Sequence, residues 1–90
     1  MEKLRITVHH PVGLHARPAA KFVQTAGHFP CEIQVANLTA GSPPANAKSI
    51  LSVLTLGVEQ DHEIEVTAEG EQESEAIQAL KELIEANFGE

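Results

Sequence analysis

Ninety residues, 42% of them hydrophobic but with only three Phe and no Trp or Tyr, suit a single small domain over 1–90 with an aliphatic core; ~150 residues is the loose prior for one domain. The lone Cys31 excludes an internal disulfide, the run after Met1 lacks a cleavable signal pattern, and apolar windows such as Ile50–Val58 fall far short of the ~20 residues of a membrane span, so cytoplasmic residence without membrane insertion is expected. The net charge of −7 is uneven, with five cations against two carboxylates before residue 59 and Lys81 against eleven carboxylates after it; this thin basic content argues against nucleic acid and directs any anionic ligand to the N-terminal two-thirds.

The first element, Lys3–His9, alternates, with Leu4, Ile6 and Val8 on one face, and predicts a half-buried strand. Pro11 and Gly13 break that pattern, and Ala19, Phe22, Val23 and Ala26 recur at helical spacing, predicting a helix over Ala16–Ala26 that stops at Gly27. Cys31–Ala36 alternates again as a second strand before the Asn37–Ser42 turn residues, with Cys31 as a small apolar strand residue. Pro43 and Pro44 cannot donate to a ladder, so a third strand over Pro44–Asn46 must be short and at an edge.

Ser49 precedes the apolar run Ile50–Leu56, which Gly57 closes, predicting a two-turn helix with a serine N-cap. His62–Ala68 alternates strictly and ends at Gly70. Ile77, Leu80, Leu83, Ile84 and Phe88 then mark a long amphipathic helix with an acidic outer face and Gly89 as its stop. The order β-α-β-β-α-β-α, with strands wet on one face and dry on the other, predicts an α+β fold: a four-stranded antiparallel sheet covered on one face by three helices.

Chemistry concentrates in Gly13–Ala20, where His15 stands at the entry to the first helix. The first amides of a helix have no internal partner and form an anion site, and Pro18 is tolerated in the first turn because no internal bond is lost there. The amides of Ala16 and Arg17 are free to face an anion on His15, and the positive helix end disfavours imidazolium, leaving a nucleophilic ring. Histidine is a poor N-cap, and an arginine at this end opposes the macrodipole unless an anion compensates. Arg17 offers the fork that phosphoryl oxygens favour, so nucleophile and cation together point to an anion that is transferred.

Elsewhere the signals are weaker. Ile50, Leu51, Val53, Leu54 and Leu56 cover more of a short helix than one core stripe can bury, so some face water as a docking surface. His9 and His10 resemble half a metal site, but strand neighbours point to opposite faces and no metal or cofactor is expected. His28 and His62 lie near element ends and read as solvated.

The His-Ala-Arg-Pro core of Gly13–Ala20 and the later run Ala47–Gly57 resemble the two signature regions of the HPr family, the histidine phosphocarriers of the bacterial phosphoenolpyruvate-dependent sugar phosphotransferase system. The resemblance spans essentially the whole chain and implies the open-faced β-sandwich of that family. It implies that His15 takes a phosphoryl group at Nδ1 from phospho-enzyme I and passes it to the enzyme IIA domain of a sugar permease, with Arg17 assisting. It also implies partner docking by Ile50, Leu51 and Leu54; the negative total departs from the basic docking face of much of the family, but Arg17, Lys21 and Lys48 are expected to keep the local field positive there. Ser49 matches the serine that an HPr kinase/phosphorylase modifies in many relatives, a change compatible with a helix N-terminus. The stretch between His15 and Ser49 is longer than the family's usual spacing, the excess falling in Asn37–Pro44, where most members have a tight hairpin. A monomer is expected. Three other functions fit the same residues: a nitrogen-branch carrier with different partners, a regulatory domain that docks on transcription factors or kinases and is switched at Ser49, and an anion-binding module without transfer.

Overall fold

A computed structural model describes residues 1–90. Strands β1 (Glu2–Thr7), β2 (Glu32–Asn37), β3 (Ala45–Asn46) and β4 (Glu63–Glu69) form one antiparallel sheet in the order β1-β4-β2-β3, and helices α1 (Ala16–Ala26), α2 (Ile50–Leu54) and α3 (Glu73–Glu85) cover one face. The alternation of β4 explains its central place. Val66 lies between Leu4 of β1 and Val35 of β2, while Ile64 and Ala68 meet Ile6 and Ile33 in the same registers. Ile33, Val35, Ile64, Val66 and Ala68 are buried while Leu4 and Ile6 of the edge strand are half-buried, and the outward face carries pairs such as Arg5 with Glu65, 2.9 Å apart.

The helices bring matching stripes to this sheet. Ala19, Phe22 and Ala26 of α1 and Ala76, Leu80 and Ile84 of α3 are buried, which follows from recurrence at three and four residues. None of these helices is long and apolar enough to cross a membrane.

Three elements differ from expectation. The second helix stops at Leu54, because Thr55 turns back, its hydroxyl donating to the Ser52 carbonyl at 2.6 Å, and Gly57 takes a φ of +61°. Leu56 and Val58, thrown inward by that turn, join the core. The last helix ends at Glu85, so Phe88 is not on its stripe; Asn87 and Phe88 take left-handed φ values of 57° and 59° in a short 3₁₀ turn, Asn87–Gly89. Left-handed backbone costs roughly 1–2 kcal/mol at a side-chain-bearing residue, and burying the Phe88 ring offsets it by about 1.5–3 kcal/mol.

The third correction concerns the long Asn37–Pro44 turn and His62. Asn37 is fully buried. Its amide nitrogen donates to the Leu56 carbonyl at 3.1 Å and to His62 Nδ1 at 3.2 Å, and its side-chain oxygen accepts from the Ala40 amide at 3.1 Å. Ser42 closes the loop, its hydroxyl accepting from the Asn37 amide at 2.9 Å and its own amide donating to the Asn37 carbonyl at 3.0 Å. The extra residues thus wrap a buried amide, and His62 is half-buried and bonded instead of solvated.

Candidate functional site

The approach to α1 is shaped by one missing side chain. Gly13 has a φ of +62°, and a Cβ there would lie 2.1 Å from the Val58 carbonyl oxygen. Its absence lets the loop close on the segment after α2, where the Leu14 amide donates to that carbonyl at 3.0 Å and the Leu14 side chain is buried. His15 follows as the N-cap residue with extended backbone (φ −81°, ψ −171°), and no side chain caps the helix. The Ala16 and Arg17 amides are therefore left without an intrahelical partner, as the helix start dictates.

The imidazole of His15 is 58% exposed and points one nitrogen at a carboxylate. Its Nε2 lies 3.1 Å from Glu59 Oε2, whose side chain is equally exposed. A carboxylate only accepts, so Nε2 carries a proton toward it, and Nδ1 has no protein partner.

Arg17 meets a different acid, its guanidinium 3.6 Å from Glu90 Oε2. Glu90 also takes a hydrogen bond from His10 Nε2 at 2.9 Å and one from Lys21 at 3.4 Å. His10 is buried edge-on to Phe88, with ring centroids 5.9 Å apart, and its Nδ1 accepts from the Val12 amide. The His10 hydrogen bond above all, then Lys21 and the Arg17 charge, hold the Glu90 carboxyl below the ordinary carboxylate range.

Among the docking candidates, Ile50, Leu51 and Leu54 are 37%, 73% and 38% exposed, whereas Val53 and Leu56 are buried. The apolar run therefore splits between core and surface. The two lysines are less free: Lys21 donates to the Phe88 carbonyl at 2.8 Å and Lys48 to the Phe29 carbonyl at 2.6 Å. Ser49 caps α2, its hydroxyl oxygen accepting from the Ser52 amide at 3.3 Å. His9 and His10 turn to separate acids, His9 to Asp61 at 3.1 Å.

Sequence reading missed Glu59, His10 and Glu90. Each meets the site through a contact between residues 44 to 80 positions apart, and no local pattern announces such a contact.

The family model described as "PTS HPr component phosphorylation site" matches residues 3–86. The phosphocarrier protein HPr of Pseudomonas aeruginosa is 42% identical over 90 residues, covering 100% of this chain and 98% of that protein. A multiphosphoryl transfer protein of Salmonella typhimurium is 42% identical over 78 residues, or 87% of this chain but only 21% of its own length. The crystal structure of HPr-C-His from Thermoanaerobacter tengcongensis superposes with a TM-score of 0.94 at 47% identity, covering 100% of this chain and 98% of the other. With the family model spanning nearly the whole chain, a full-length relative at 42% identity and the whole fold in agreement, the chain belongs to the HPr family, the phosphocarriers of the phosphotransferase system.

Proposed function

We propose that this chain receives its phosphoryl group on His15 Nδ1 from phospho-enzyme I and passes it to an enzyme IIA domain in the cytoplasm. One observation carries the reading: the exposed ring keeps Nδ1 unpartnered at the uncapped start of α1 while Nε2 is engaged. The Ala16 and Arg17 amides would then hold the phosphoryl oxygens, with the Arg17 side chain assisting. The exposed Ile50, Leu51 and Leu54 supply the apolar part of the docking surface, with Lys21 and Lys48 beside it as basic residues.

Ser49 is proposed as a second, regulatory phosphorylation site for an HPr kinase/phosphorylase. A phosphate there adds about −1.5 to −2 charge, which acts on partners more than on the fold.

Incubation with phosphoenolpyruvate, magnesium and enzyme I, followed by intact-mass analysis before and after mild acid, tests the carrier role. The expected result is an acid-labile gain of one phosphoryl group that His15→Ala abolishes and Leu51→Ala slows. A stable wild-type protein that gains nothing from its host's enzyme I overturns the reading.

A further inference from the structure

We infer that Glu59 is a positioning residue for the reacting histidine, holding His15 with Nε2–H toward its own carboxylate and Nδ1 toward the incoming phosphorus. The inference rests on the carrier role of His15. Its geometric basis is the 3.1 Å contact between His15 Nε2 and Glu59 Oε2, together with the way both residues are delivered to it.

The delivery is built from the backbone. The Leu14 amide bonds to the Val58 carbonyl at 3.0 Å, so the residues immediately preceding His15 and Glu59 are tied to each other. Gly13 permits the approach, as a Cβ there would lie 2.7 Å from the Glu59 Cα. Behind Glu59, its amide donates to His62 Nδ1 at 3.1 Å, and the fully buried Asn37 donates to the same nitrogen at 3.2 Å. An otherwise exposed glutamate is thus mounted on a buried support.

The chemistry gives this mounting a use. In the transfer step, the Nδ1 lone pair forms an N–P bond while the bond from phosphorus to the phosphorylated donor breaks and its electron pair leaves with the donor. No proton need move: Nε2 keeps its hydrogen and the ring becomes a phosphoimidazolium cation. Glu59 accepts that hydrogen bond throughout and faces the positive charge as it develops, much as an acid orients and supports the histidine of a hydrolase triad. Because both side chains are 58% exposed, solvent screens the pair, and the effect on the rate is expected to be about five-fold rather than orders of magnitude.

Three variants decide the matter. Glu59→Ala should slow phosphoryl acceptance from phospho-enzyme I about five-fold at saturating donor with little change in KM, while its urea midpoint stays at the wild-type value. Glu59→Gln, which keeps an acceptor but loses the charge, should recover part of the rate. Asp61→Asn removes a neighbouring charge that pairs with His9 instead, and should leave the rate unchanged. Long-range proton–nitrogen NMR supplies an independent readout: the His15 ring should be the Nε2–H tautomer in the wild type and a mixture in Glu59→Ala. An unaltered rate and tautomer in Glu59→Ala, or the same loss in Asp61→Asn, overturns the role of Glu59. Absence of transfer in the wild type instead overturns the carrier reading, and the tautomer spectra then decide alone whether Glu59 holds the ring.

Discussion

A single methyl group at residue 13 would collide with the Val58 carbonyl at 2.1 Å and with a backbone held at a φ of +62°. Gly13→Ala should therefore lower stability by more than about 2 kcal/mol in urea unfolding, because neither the left-handed φ nor the carbonyl can yield cheaply. Asn37 makes the complementary case for a polar group: Asn37→Leu strands the Leu56 carbonyl and the Ala40 amide that the side chain now serves. The expected loss is about 1–3 kcal/mol, again by urea midpoint, and an unchanged midpoint would mean that the buried amide network is not stabilising. At this scale the sequence is half legible. A glycine before a helix and an asparagine in a turn are visible as types, but that one must admit a carbonyl and the other must reach Leu56 depends on chain segments that local pattern does not connect.

Elements repeat that division. Ser49 is legible as an N-cap, and Ser49→Ala should cost about 0.5–2 kcal/mol. Leu51→Ala on the same helix, removing a side chain that is 73% exposed, should stay within about 0.5 kcal/mol of wild type. Thermal melts of the pair separate capping from docking, and a large loss in Leu51→Ala would return that residue to the core. The end of the last helix was not legible, because amphipathic spacing carries Phe88 onto the α3 stripe whereas the left-handed Asn87–Phe88 turn buries it against His10 by another route. That turn is fastened by Glu90, whose carboxyl is held below its ordinary value of 4.5 chiefly by the hydrogen bond from His10. A group with a depressed folded value contributes its full stabilisation above the unfolded value and loses it as pH falls through the folded one. Glu73 acts in the same direction through bonds from the Met1 amine and the Gly70 amide. The urea midpoint should therefore fall on acidification below about pH 4.5, and Glu90→Gln should make that fall shallower.

For the whole molecule, β4 is the organising strand, paired on both sides and contributing the fully buried Ile64, Val66 and Ala68. Its amides should exchange slowest with deuterated water, and those of the two-residue edge strand Ala45–Asn46 fastest, as native-state hydrogen exchange by NMR would reveal. Phe22→Ala, at the fully buried centre of α1, should cost about 3–5 kcal/mol, a large share of the ~5–15 kcal/mol that holds a domain together. Local pattern in the chain specifies the element order, the inward faces, the antiparallel sheet with helices on one side, and a histidine at the entry to α1. These follow from alternation, helical recurrence, capping residues and glycine stops, all of which act over a few neighbouring residues. Only the closed fold sets Glu59 against His15, ties Arg17 to His10 through Glu90, occupies Lys21 and Lys48 with backbone carbonyls, and brings Phe88 into the core by a left-handed turn instead of on the α3 stripe. The difference is one of range: those contacts form only when the sheet closes and brings distant segments together, where geometry, and no local pattern, selects the partners.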